Sequence, residues 1–225
     1  MKKYLKVLTV GLIMNSSLTM GLNIVTVEES EYKKVLKTPA GSVAFPLSSE
    51  DLALIQAMKD KLYTLEGVGL AAPQVNVAKQ IIVVYIPENA ALLREHVTPY
   101  LMHVMINPSY KPFEHSATYY DFEGCYSVAS KAGKVPRFQE IILSYFDEQG
   151  EEHQQVEKDF YARVLQHEID HLNGLLIIDR LTSDCIQGSP VEMAKLRRSE
   201  LSEEKRALFD ALMAKKFKIK EENNE

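Results

Sequence analysis

The chain has 225 residues, 46% hydrophobic and 25% charged, which is the composition of one soluble globular domain and excludes a disordered or collagen-like chain. There are 26 Lys and Arg residues together and 31 Asp and Glu residues together, which gives a formal net charge of −5. This charge excludes a chain-wide basic surface for nucleic acid. The two cysteines, Cys125 and Cys185, are too few for a disulfide framework, so we expect a cytosolic thiol or a metal-ligating thiolate.

The N-terminal residues follow the order of a secretory signal. Three lysines precede the apolar run 7–14, and small or polar residues follow it through Gly21. The run is too short to span a bilayer, and no Ala-x-Ala cleavage site follows it. Residues 1–30 are therefore predicted to be a signal-like extension, with a short extra helix or strand at the edge of the fold as the alternative.

From about residue 32 the pattern mixes amphipathic helices with β-branched strands, which predicts a mixed α and β domain. The predicted elements are a helix from an N-cap at Ser49 to about Tyr63, strands at 80–86 and 141–146, a helix from Asp159 to a left-handed cap at Gly174, and a helix at about 199–217. The last helix has its apolar residues among Glu and Lys, so we expect it to lie on the surface of the domain.

The strongest chemical signal is His167-Glu168-Ile169-Asp170-His171. On a helix, residues four apart face the same way, so the two imidazoles can share one metal ion. Glu168 beside that ion could take a proton from water and pass it to a leaving group. A surface helix with two solvated histidines is the alternative, and the apolar residues around the motif argue against it.

Two histidines need a third ligand, and a carboxylate or a thiolate would serve. Cys125, which follows Gly124 about forty residues upstream, is one candidate, although a single cysteine is more often a small buried hydrophobe. We apply that second interpretation to Cys185. The segment from Gly67 to Gln74 has little side-chain bulk, which suits either backbone lying against a ligand or a tightly packed structural loop.

Three segments together resemble one family. GVGLAAPQ at 67–74, EGCYS at 123–127 and QHEIDH at 166–171 are similar, in order and spacing, to the three signature motifs of the peptide deformylases. The resemblance implies a peptide-deformylase-like α+β fold, with mixed or antiparallel strands packed around a central metal-bearing HExxH helix. It also implies a catalytic domain at 31–182 and leaves 183–225 as a C-terminal extension with a surface helix.

The resemblance implies an enzyme that removes the N-formyl group from the N-terminal methionine of newly made proteins and releases formate. The resemblance implies that Cys125, His167 and His171 are the metal ligands and that Glu168 is the general acid/base. It implies two oxyanion donors, the side chain of Gln74 and the main-chain NH of Tyr126, and it places the substrate backbone against Gly69. The pocket for the methionine side chain would be formed by Val68, Glu123, Phe160, Arg163 and Val164.

The same resemblance implies one divalent metal ion per chain, with Fe(II) expected. A sulfur with two imidazoles could also accept Zn, Ni or Co. The expected partners are N-formyl-methionyl peptides or nascent chains near the ribosome, and we expect a cytoplasmic monomer.

The chain departs from the family pattern at three places. Its signal-like start leaves export or membrane association as the alternative to a cytoplasmic location. Tyr126 stands where Leu or Met is usual, and Ser42–Pro46 replaces the Leu-Arg pair that usually follows Lys37-Thr38-Pro39. Two other functions stay open: a non-catalytic binder of formylated N-termini, and a zinc peptidase. The peptidase would need a His or Glu ligand after the motif, and His171 is the last histidine in the chain.

Overall fold

The computed structural model describes residues 21–88, 90, 93–94 and 97–222, with side chains as far as residue 215. The signal-like residues 1–20 lie outside this part of the chain. The elements are α1 (Lys33–Lys37), α2 (Ser49–Leu65), β1 (Gly69–Ala71), a 3-10 turn (Ala72–Val75), β2 (Ile81–Ile86), β3 (Tyr100–Pro112), β4 (Thr118–Cys125), β5 (Val128–Phe138), β6 (Glu140–Phe146), β7 (Glu152–Lys158), α3 (Asp159–Leu172), α4 (Ile177–Arg180), β8 (Gln187–Gly188), α5 (Pro190–Glu200) and α6 (Glu203–Glu222).

The strands form two antiparallel sheets. The larger has the order β1-β2-β3-β6-β7, and the smaller has the order β4-β5-β8. The predicted α+β class with antiparallel strands is confirmed. The strands predicted at 80–86 and 141–146 are β2 and β6, two neighbours of β3 in the larger sheet.

Strand β2 of the larger sheet is buried on both of its faces. Ile82 and Val84 of β2 pack with α3, whereas Ile81 and Val83 pack with α2 on the opposite face. A strand buried on both sides has no polar face, which explains why β2 is an uninterrupted apolar run. Helix α3 therefore lies on the sheet and also contacts β5 of the smaller sheet.

The first long helix begins one residue earlier than predicted. Its N-cap is Ser48, whose side chain accepts a hydrogen bond from the backbone N–H of Asp51, while Asp51 accepts one from the backbone of Ser48. The prediction of Ser49 as the cap is wrong, because the carboxylate that completes the capping box lies three residues after Ser48. The helix continues to Leu65, two residues beyond the predicted end.

The metal-motif helix spans Asp159–Leu172, as predicted, and Gly174 follows it with φ at +70°. A Cβ at Gly174 would also lie 2.8 Å from the backbone of Lys37 and Thr38. Both the left-handed conformation and the close approach of α1 therefore require glycine at this position.

The C-terminal region differs from the prediction of a single helix at 199–217. Helix α5 starts after Ser189, which forms a capping box with Glu192, and the chain breaks at Leu201 before α6 begins. Cys185, expected to be a small buried residue, is buried.

The end of the predicted N-terminal extension is joined to the domain. The backbone N–H of Val25 donates to the carbonyl of Gln74 at 2.9 Å, and that of Val27 donates to the carbonyl of Ser127 at 3.0 Å. In the part of the chain that the structure describes, no helix has both the length and the apolar character needed to cross a membrane.

Candidate active site

The three side chains proposed as metal ligands converge from two parts of the fold. Cys125 ends β4 of the smaller sheet, and His167 and His171 lie one turn apart on α3. Their ligand atoms lie within 4.8 Å of one another, and the Cys125 Sγ is 3.2 Å from Nε2 of His171. Tetrahedral coordination at ordinary bond lengths separates sulfur from nitrogen by about 3.6 Å and the two nitrogens by about 3.4 Å. The side chains present therefore fit one divalent ion.

A buried carboxylate orients the first histidine. Nδ1 of His167 is 2.9 Å from Oε2 of Glu123, which leaves Nε2 as the nitrogen available to a metal. Two guanidinium groups hold Glu123 in turn: Arg137 at 2.9 and 3.0 Å, and Arg163 at 2.6 Å. Burial acts to raise the pKa of Glu123, but Arg137 and His167 outweigh it and keep the pKa well below its usual range. Glu123 is therefore a fixed anion.

The two histidines differ in their environment. Burial, together with the charges of His167 and Arg137, lowers the pKa of His171 well below its usual value, so this imidazole stays neutral, as a metal ligand must be. Burial also acts to lower the pKa of His167, but hydrogen bonds with Cys125 and Glu123 outweigh it and raise the pKa.

Glu168 lies between the two histidines on α3, and its side chain is buried. Burial is the main cause that raises its pKa to about 7, and the charge of Glu123 acts in the same direction. Oε2 of Glu168 has no hydrogen-bond partner among the described residues. A carboxyl group with a pKa near neutrality can both accept and donate a proton.

Gly69 makes room for Glu168. A Cβ at residue 69 would lie 2.3 Å from Oε1 of Glu168, which no real side chain tolerates. The backbone of β1 therefore runs directly against the carboxyl group.

Gln74 directs its amide N–H toward the cysteine. Its Oε1 accepts a hydrogen bond from the backbone N–H of Ala71 at 2.9 Å, and its Nε2 lies 3.7 Å from the Cys125 Sγ. Because the oxygen is committed to the backbone, the donor end of the amide is the end that faces the site.

Tyr126 follows Cys125 in the two-residue turn between β4 and β5. Its hydroxyl donates to the carbonyl of Leu65 at 3.0 Å, and its ring lies against Gly67. The backbone of Tyr126 is thus adjacent to Cys125, while its side chain reaches the end of α2.

The five predicted pocket residues separate into two groups. Val68 and Phe160 pack against the apolar cluster that contains Val164, and the Arg94 guanidinium lies 4.0 Å from the centre of the Phe160 ring. Glu123 and Arg163 instead point into the protein, where Arg163 donates to Glu123 and to the carbonyls of Val135 and Tyr119. The structure does not bring these two charged groups to a pocket surface, because both side chains are buried and bonded to each other inside the protein.

Arg137, which is not among the predicted site residues, links the two buried carboxylates Glu123 and Asp170. A usable signal is present in the sequence. Arg137 is in phase with the inward-facing Val135 on β5, and a charged residue at an inward position needs a buried partner.

Comparison with known proteins gives one consistent result. The sequence profile described as polypeptide deformylase matches residues 22–186. Peptide deformylase 2 of Rickettsia conorii is 39% identical over 192 residues, which cover 81% of this chain and 91% of that protein. Peptide deformylase of Limosilactobacillus fermentum is 39% identical over 172 residues, which cover 70% of this chain and 89% of that protein.

A solved structure gives the same likeness in three dimensions. The Met-Ala-Ser-bound crystal structure of class I type b peptide deformylase from Acinetobacter baumannii aligns with a TM-score of 0.63 at 32% identity. The alignment covers 73% of this chain and all of that chain.

Proposed function

Since the chain belongs to the polypeptide deformylase family and is a hydrolase that removes the N-formyl group from newly made proteins, we propose that this reaction occurs at Cys125, His167 and His171. The observation that carries the proposal is the convergence of one thiol and two imidazoles beside a buried carboxyl group, Glu168. A side chain able to exchange a proton thus lies next to a ligand set suited to a metal.

We propose that the three ligands hold one divalent ion, Fe(II) in the native enzyme, although the same set accepts Zn, Ni or Co. When bound, the ion supplies Lewis-acid activation of water and of the formyl carbonyl. Glu123 supports the site by fixing the ring of His167, and Arg137 and Arg163 fix Glu123.

Glu168 is proposed to carry the proton. A water oxygen adds to the formyl carbon, Glu168 takes the proton that this water loses, and it then delivers the proton to the amine nitrogen as the C–N bond breaks. The products are formate and a free N-terminal amine. The pKa of about 7 and the unpartnered Oε2 of Glu168 support this role.

Gln74 and the main-chain N–H of Tyr126 are proposed to donate to the oxyanion that forms when water adds. Nε2 of Gln74 faces Cys125, and Tyr126 directly follows that residue. A donor of this kind typically contributes about 3 kcal/mol to the transition state, so its loss should lower kcat more than it changes KM.

The substrate is proposed to lie along β1. This strand is the edge of the larger sheet, so its outer side can pair with an extended peptide near Gly69. Val68, Phe160 and Val164 then offer an apolar surface for the methionine side chain.

The substrate also bears on where in the cell the enzyme acts. A formylated N-terminus is present on a chain as it leaves the ribosome, so we propose a cytoplasmic monomer acting close to that point. We assign catalysis to the region 31–182, with 183–225 as an added segment.

The test measures formate release from formyl-Met-Ala-Ser by protein purified without oxygen and loaded with Fe(II). Wild type should release formate, and Glu168→Ala should lose at least about 1,000-fold in rate while binding one metal ion per chain. Glu157→Gln is the control, because Glu157 is also a buried carboxylate but lies on β7, outside the site. No release by wild type with metal bound would contradict the proposal and favour a non-catalytic binder.

A further inference from the structure

We propose that the side chain of Tyr126 is a positioning residue, which ties the turn carrying an oxyanion donor to the loop that leads into β1. The inference rests on the proposed function, because it concerns where the main-chain N–H of Tyr126 is held.

The first observation is a hydrogen bond between two distant segments. The Tyr126 hydroxyl donates to the carbonyl of Leu65 at 3.0 Å, and Leu65 is the last residue of α2. The last four carbonyls of a helix have no partner within the helix, so the phenol satisfies a group that the helix itself cannot. An aliphatic side chain at position 126 cannot make this bond.

The second observation is the packing of the ring. A Cβ at Gly67 would lie 3.1 Å from both Cε2 and Oη of Tyr126 and 2.9 Å from Cδ1 of Leu62. The Tyr126 ring and the Leu62 side chain of α2 therefore both pack against the backbone of residue 67. Tyr126 thus contacts this loop both through its hydroxyl and through its ring.

The third observation is what lies two residues further along the same loop. Gly69 runs against Glu168, as described above, so the short segment from Glu66 to Gly69 is fixed by Tyr126 at one end and by the proton carrier at the other. A shift of the Cys125–Tyr126 turn would have to move this segment with it. The phenol therefore fixes the position of the Tyr126 N–H relative to Glu168.

The test compares two tyrosines with the same kind of bond. Tyr126→Phe removes the hydroxyl and keeps the ring. Tyr119→Phe is the matched control, because the Tyr119 hydroxyl also donates to a backbone carbonyl, that of Asp159, at 3.0 Å. Both variants and wild type are loaded with Fe(II) without oxygen, and kcat and KM for formyl-Met-Ala-Ser are measured well below their melting temperatures.

We expect Tyr126→Phe to lower kcat about tenfold with KM within about twofold of wild type and one metal ion per chain, and Tyr119→Phe to keep kcat within about twofold. A second readout separates positioning from stability. In a Gln74→Ala background the effect of Tyr126→Phe on kcat should shrink at least about threefold, because both changes act on one oxyanion, whereas an unrelated loss of stability would act independently.

Three results would overturn the inference: unchanged kcat in Tyr126→Phe, an equal loss in Tyr119→Phe, or full independence from Gln74→Ala. Gly67→Ala tests the same contact from the loop side, and it should lower kcat in the same direction. Failure of wild type itself to release formate would count against the proposed function and not against the role of Tyr126 alone.

Discussion

Oε1 of Glu168 lies 2.3 Å from the point where a Cβ on residue 69 would be. Gly69→Ala must therefore displace either the β1 backbone or the carboxyl group, and we expect kcat/KM for a formylated peptide to fall at least about 100-fold, since small misplacements of reacting groups are costly. Gly41→Ala is the control, because a Cβ at that position meets its nearest neighbour at an ordinary 3.6 Å. Activity of Gly69→Ala within a few-fold of wild type would show that the close contact does not matter.

Glu123→Gln should weaken metal binding. The neutral amide no longer fixes His167 as an anion does, and Arg137 and Arg163 lose their shared partner, so we expect metal affinity to fall about 10- to 100-fold. Competition with a chromogenic chelator measures this affinity. Glu157→Gln should keep the wild-type affinity, because Glu157 is a buried carboxylate on β7, outside the site.

The stability of the metal-free protein should depend on Glu168. Burial raises its pKa from 4.5 to about 7, so between these values the folded state binds more protons than the unfolded state. The free energy of unfolding contributed by this group therefore falls as pH rises through that window. Urea unfolding of metal-free wild type and Glu168→Gln at pH 5 and pH 8 should show the variant gaining stability relative to wild type at the higher pH. A pH-independent difference would contradict the shift.

The capping box at the start of α2 should contribute about 1 kcal/mol to stability. Hydrogen bonds lower the pKa of Asp51, and the bond with Lys79 has a larger effect than the bond with Ser48. The ionised carboxylate therefore adds to the free energy of unfolding above pH 4, and this stabilisation is lost as pH falls through the folded-state pKa. Asp51→Asn should lower the free energy of unfolding at pH 7 and differ much less from wild type at pH 2.5. Urea titrations at the two pH values make the comparison.

Phe160 should influence which side chain the enzyme prefers. Its ring packs in the apolar cluster with Val164 and is covered by Arg94, so Phe160→Trp must take space from that surface. We expect the ratio of kcat/KM for formyl-Met over formyl-Gly peptides to fall at least about threefold. An unchanged ratio would place the methionine pocket elsewhere.

The sequence was informative where the structure depends on local patterns. The helix at 159–172 was predicted because four-residue spacing places His167 and His171 on one face, and its end was predicted from Gly174. Even the error at Ser49 was avoidable, because Asp51 lies at the capping-box distance from Ser48 and not from Ser49.

The features that were not predicted from the sequence depend on contacts between distant parts of the chain. Strand β5 has exposed polar residues such as Lys131, and neither β4 nor β5 shows the apolar run that made β2 recognisable. Glu123 was predicted to face a substrate side chain, but its partners come from β5 and α3, and no local pattern indicates that they meet.

The ligand set is divided between the two sheets of the protein, with Cys125 at the end of the smaller one and the histidines on the helix that covers the larger one. An ion held by all three side chains is therefore also a crosslink, and every opening motion that parts the β4–β5 hairpin from α3 must first release a ligand. By mass action, loading with metal makes such openings rarer. Hydrogen exchange and proteolytic cleavage at the hairpin should thus slow when metal is added, and chelation should restore them.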